Sequence, residues 1–96
     1  MEKNIIDSNK EAELISLAKT GNLAAFEKIL FIYEKPIYNY LLRLAGQRVD
    51  AEDLTQKTFI KLYKSLKLIN PDKNFKSWLY KIAANTAYDW FRKKKR

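Results

Sequence analysis

The 96-residue sequence predicts an all-α fold, a compact bundle of four to five helices around one core. Three observations carry this expectation. Only two Gly and two Pro interrupt the chain. No β-branched run alternates as a half-buried strand would. Apolar residues instead recur at spacings of three and four, which gathers them on one side of a helix. A chain of this length buries about 60–65% of the surface its unfolded form exposes, enough for a single domain over residues 1–96.

The first helix is predicted over residues 11–20, where Ala12, Leu14, Ile15, Leu17 and Ala18 form a stripe that Gly21 and Asn22 close. A second tract covers 23–45. Ala25, Phe26, Ile29, Leu30 and Tyr33 begin its stripe, and Ile37, Tyr40, Leu41 and Leu44 resume it beyond Pro36. Pro36 has no N–H to donate and is expected to kink or divide the tract. Gly46 is placed to cap its end. The third helix is expected to open on Asp50 as cap, with Asp53 reaching back, and to run to about residue 68. Its stripe is Leu54, Phe59, Leu62, Tyr63 and Leu66. Pro71, Asp72 and Asn74 mark residues 69–74 as a loop. The last helix is expected over 75–92, burying Phe75, Leu79, Ile82, Ala83, Thr86 and Trp90, with the final RKKKR frayed.

Charge is divided unevenly along the chain. Residues 1–56 carry seven basic and nine acidic side chains, a net of −2, whereas residues 57–96 carry twelve basic and two acidic, a net of +10. A cationic half on so small a domain points to a polyanion such as nucleic acid. No stretch approaches the ~20 apolar residues that span a bilayer, and the opening MEKNIIDSNKE lacks a signal-peptide core, so a cytoplasmic protein without a membrane partner is expected. With neither Cys nor His, thiol and imidazole chemistry is excluded. Asp50, Glu52 and Asp53 are read as helix-start residues and not as metal ligands. Gly21 and Gly46 are isolated, so no phosphate-cradling loop exists. No catalytic constellation, cofactor, metal site or small-molecule substrate is expected, and the chain is read as a binding domain, not an enzyme.

The last helix and the loop before it hold the candidate nucleic-acid contacts. Lys73, Lys76, Lys81, Arg92 and Lys93 supply charge for phosphates, and Asn74, Ser77 and Asn85 can hydrogen-bond base edges. Phe75, Trp78, Tyr80 and Tyr88 offer stacking surfaces for unpaired bases. Cations interleaved with aromatics suit a single or distorted strand better than rigid duplex. A second outer surface on the third helix, with Glu52, Gln56, Lys57, Ile60 and Lys64, is either incidental or a docking patch.

These residues resemble region 2 of a bacterial sigma factor, in particular the extracytoplasmic-function (ECF) group. The resemblance spans nearly the whole chain. It rests on Gly21-Asn22 with Ala25-Phe26, on DAEDLTQKTFIKLYKSL (50–66) and on FKSWLYKIAANTAYDWFRKKKR (75–96), in the family's order and separation. It implies docking on the clamp helices of the largest catalytic subunit of core RNA polymerase through Asp53, Leu54, Gln56, Lys57 and Ile60. The family usually has Glu where this chain has Lys57, a charge reversal at that surface. The resemblance further implies that the loop at about 68–74 captures a base flipped from the non-template strand of the promoter −10 element, with Asn85 facing that base. Trp78 matches an aromatic of the melting segment, and Leu79 stands where primary sigma factors have a second Trp, as in ECF factors. An anti-sigma factor is a further partner that such domains commonly have. The family's C-terminal region 4 helix-turn-helix domain is absent from these 96 residues. Two rivals remain at this stage: a helical regulator of duplex DNA, and a protein-only helical adaptor with the basic half serving solubility.

Overall fold

The computed structural model describes residues 8–95. Four α-helices follow one another: α1 (Ser8–Lys19), α2 (Leu23–Ala45), α3 (Arg48–Lys64) and α4 (Phe75–Lys95), with a 3-10 turn over Leu66–Leu68 after α3. The opening residues 1–7, on which the reading of the MEKNIIDSNKE segment bears, and Arg96 at the end of the basic run lie outside the described residues.

The turn between α1 and α2 takes its geometry from Gly21, whose φ of 97° is open to glycine at no steric cost. Gly21 N–H donates to Ala18 O (3.0 Å) and Asn22 N–H to Leu17 O (3.1 Å), a pairing that satisfies the last carbonyls of α1. Asn22 then serves the next helix as well, accepting from Ala25 N–H through its side chain at 3.0 Å. Pro36 does not divide α2, which runs unbroken through it. Ile37 and Leu41, both fully buried on the following turns, hold the second half in line. Gly46 closes α2 in the left-handed region, its N–H on Leu42 O at 2.8 Å.

The start of α3 departs from expectation. Its N-cap is Gln47, without a side-chain cap bond, and Asp50 lies inside the first turn. Asp50 therefore supports the helix through the dipole, and not as a cap. Asp53 does not reach back either, because its carboxylate pairs forward with Lys57 at 3.0 Å. The helix also stops earlier than predicted. At Ser65 the backbone leaves helical geometry (φ −101°, ψ 6°), and its N–H is shared between Lys61 and Leu62 carbonyls. α4 by contrast stays helical through Lys95.

The core joins Ile15, Ile29, Ile37, Leu41, Leu54, Leu62 and Leu79, all essentially inaccessible to solvent. Each such side chain contributes about 1.5–3 kcal/mol of transfer free energy. α2 is the central helix, packed on α1, α3 and α4, while α3 also packs on α4 and α1 on the 3-10 turn. Thr55 and Thr58 are buried on α3 and donate to the Ala51 and Leu54 carbonyls at 2.7 Å, so their hydroxyls do not enter the core unpaired. Two expected stripe residues, Leu17 and Tyr63, are instead about half exposed (47% and 54%). Tyr63 meets Phe26 edge-on at 5.1 Å and leaves its other side open.

Candidate nucleic-acid interface

At 3.6 residues per turn, Ser77, Lys81, Asn85, Tyr88 and Arg92 fall on one ridge of α4, and all five are exposed. From Ser77 to Arg92 that ridge is about 22 Å long. It combines a hydroxyl, an amide, an open aromatic ring and two cations, a set able to hold a nucleic-acid backbone and touch base edges. Asp89 sits beside it, half-buried, and is shared. Arg92 pairs with it along α4, and Lys61 of α3 approaches it at 4.0 Å while donating to Thr86 Oγ1 at 3.0 Å.

The remaining candidates on α4 do not join this ridge. Lys76 and Tyr80 lie on the flank toward α2, where Lys76 Nζ is 5.9 Å from the Tyr80 ring centroid and Tyr80 meets Tyr40 edge-on at 5.1 Å. Burial pushes the Tyr80 hydroxyl above its ordinary pKa, with Arg43 acting in the opposite sense. Trp78 is half-buried and leans on Phe75 at 6.5 Å. Lys93 is exposed but is in line with Phe75, Ile82 and Thr86, about a third of a turn around the helix from the ridge. Phe75 is a correction. It is 3% exposed and sits edge-on against Tyr33 at 5.4 Å, so no base can stack on it.

The loop before α4 is shaped by two asparagines. Asn70 accepts from Asp72 N–H through its side chain (2.9 Å) and from Lys73 N–H through its carbonyl (3.0 Å). Asn74 caps α4, its Oδ1 on Ser77 N–H (3.1 Å) and its carbonyl on Trp78 N–H (3.3 Å). With that oxygen committed, the Asn74 amide hydrogens are its means of addressing a base. Lys73 and Asn74 are both exposed. At the loop's start, Lys19 of α1 donates through Nζ to Ile69 O.

α3 displays Asp53, Gln56, Lys57 and Ile60, all exposed. Leu54 is a second correction: it is fully buried, so it seats the helix and presents no surface to a partner. Lys57 is answered by Asp53 on its own helix, so part of its charge is met locally. Beside this patch, Phe26, Leu30, Phe59, Ile60 and Tyr63 line an apolar groove of about 430 Å³ between α2 and α3. Gln56 and Glu34 also line an adjoining groove of about 600 Å³ that includes Phe31. Among the described residues no group of three acidic side chains converges as a metal site, and no helix is long and apolar enough to cross a membrane.

Residues 32–96 match the family model for sigma-70 region 2, two thirds of the chain. The chain belongs to the sigma-70 region 2 family. Among curated proteins, this region 2 domain is 38% identical over 81 residues to the ECF RNA polymerase sigma factor SigW of Bacillus subtilis, covering 84% of the chain and 43% of that protein. It is 30% identical over 83 residues to the RNA polymerase sigma-H factor of Pseudomonas aeruginosa (86% and 43%) and 35% identical to ECF sigma factor SigE of Mycolicibacterium smegmatis (80% and 31%). The chain thus spans less than half the length of these relatives, and it is an ECF-type region 2 domain. Its fold is similar to an engineered region 2 of sigmaE solved by NMR in complex with GTAAAA, at a TM-score of 0.84 and 26% identity, over 100% of this chain and 96% of that one.

Three residues of the region 2 domain escaped the sequence. Phe31 is 72% exposed beside the α2–α3 groove. It falls between the stripe positions of α2, and an off-stripe aromatic was the available signal. Asn70 organises the loop, and its place before Pro71 in an Asn-Pro pair was the clue. No local signal could have found Lys19, whose partner is fifty positions away.

Proposed function

We propose that this domain acts in bacterial transcription initiation. The α2–α3 face, with Gln56, Lys57, Asp53 and Ile60, docks on the clamp helices of the largest catalytic subunit of core RNA polymerase. The α4 ridge and the loop over residues 69–74 hold the non-template strand of the promoter −10 element. An anti-sigma factor that covers either face is a natural regulator, and the site of action is the cytoplasm.

The observation that carries this reading is the shared ridge of Ser77, Lys81, Asn85, Tyr88 and Arg92, set in a fold similar to a region 2 described in complex with GTAAAA. The chemistry is binding alone. Holding an unstacked base offsets the few kcal/mol lost in unpairing it. An aromatic platform contributes about 1–3 kcal/mol per base, and Tyr88 is the open ring here. Lys81 and Arg92 answer phosphates and carry no sequence information, whereas Asn85 can read a base edge. Two features weigh against the rivals: Trp78, Tyr80 and Tyr88 are not all buried, since Tyr88 is open, and α4 follows a loop with its own internal bonds, unlike the short turn of a helix-turn-helix.

The test pairs a pull-down on core polymerase with fluorescence anisotropy on a labelled GTAAAA strand, its single-base variants and the matching duplex. Strand preference together with polymerase capture is the expected result. Lys81→Ala weakens all strands by a similar factor, and Asn85→Ala changes the ranking of the base variants. Equal loss on every sequence for Asn85→Ala would remove its reader role, and duplex bound as tightly as strand would remove strand capture.

A further inference from the structure

We propose that α1 is a brace that fixes the position of the loop over residues 69–74, with Lys19 as its positioning residue; the inference rests on the strand-capture reading above. α1 lies outside the residues matched by the family model, though the similar solved region 2 covers it as well. It nevertheless meets the loop at both ends. At the start, Lys19 Nζ donates to the carbonyl of Ile69, a buried residue. At the far end, the contact is indirect: Glu11 accepts from the Tyr33 hydroxyl, and the Tyr33 ring meets Phe75, the first residue of α4, edge-on at 5.4 Å. Between these points Ala12, Glu13, Ser16 and Leu17 of α1 share one open groove of about 540 Å³ with Pro71 and Asp72.

The loop's internal bonds, Asp72 and Lys73 N–H to Asn70, fix the shape of the turn but do not attach it to the bundle. Lys19 does. An ammonium on a carbonyl is a charge-assisted bond, stronger than a neutral one. Ordering a loop before the ligand arrives spares that entropy at the moment of binding, so an anchored loop captures a strand more tightly and selects its base more sharply.

Lys19→Met removes the donor and keeps the aliphatic stem, and Lys19→Arg restores a donor. Amide hydrogen exchange at Asp72 and Lys73 is read without DNA, and GTAAAA binding is read by anisotropy. For Lys19→Met we expect exchange at both amides to rise about tenfold and strand affinity to fall about tenfold, equivalent to ~1.4 kcal/mol. Discrimination among base variants should narrow, polymerase capture should be unchanged, and Lys19→Arg should recover exchange protection and affinity. Unchanged exchange overturns the brace, and so does faster exchange with unaltered strand affinity. Should Lys19→Met fail to fold, Lys19→Gln is read in the same way. A wild-type protein that binds no strand would strike at the proposed function, while the exchange arm still decides whether α1 holds the loop.

Discussion

Leu54 and Ile60 are six positions apart on α3 and do opposite things. Leu54→Ala opens a cavity in the core and is expected to cost about 2–5 kcal/mol in urea unfolding. Ile60, 54% exposed, should change stability by no more than about 0.5 kcal/mol on truncation. Polymerase capture should weaken for Ile60→Ala if the α3 face docks as proposed. Tyr33 adds a pH signature. Burial, and then the hydrogen bond to Glu11, hold its hydroxyl protonated well above the ordinary tyrosine range. The folded state thus holds a proton that the unfolded state releases near pH 10, the ordinary tyrosine range. That contribution is complete below pH 10 and is lost as pH rises beyond it. Tyr33→Phe should flatten the decline in melting temperature above pH 10, at the expense of the Glu11 bond. At this scale the sequence was partly legible. Periodicity identified Leu54 and Phe75 as core, yet the family motif also drew Leu54 into a docking surface and the aromatic ring of Phe75 drew it into a stacking surface, because neither a motif nor a residue type separates the side chains that seat a surface from those that form it.

Each helix was visible from its stripe, and most errors came at the ends. Gly21 and Gly46 were correctly legible as stops because a positive φ leaves few alternatives to glycine. Gly46→Ala meets no heavy atom within 4 Å, so its expected loss of roughly 1 kcal/mol in thermal unfolding comes from backbone strain alone. The start of α3 was misread because Asp50 has the chemistry of a cap, yet it stands three positions beyond the cap residue Gln47, inside the first turn. Gln47 leaves that cap bond unmade, so Gln47→Asp should raise stability by about 0.5–1 kcal/mol, checked by the same melt. Pro36 was legible as an interruption, not as a tolerated one, since burial of Ile37 and Leu41 decides the matter from beyond the helix.

For the molecule as a whole, the charge imbalance between the two halves was plain in the sequence, but its distribution in space was not. The basic half divides among the α4 ridge, the α2 flank, the α3 face and the end of α4, so only part of its +10 can meet one strand. Strand affinity should fall with salt, with a log–log slope of about −0.7 per phosphate neutralised. Asp89→Asn should bind all strands more tightly and steepen that slope by about one such increment, which a salt titration of wild type and variant would measure. The carboxylate of Asp89 consequently works as a throttle. Any phosphate that recruits Arg92 must first outbid a resident anion, so indiscriminate sticking is muted and recognition is left to groups that carry no charge. Because Lys61 reaches the same carboxylate from α3, a disturbance at one face of the domain has a short electrostatic route to the other.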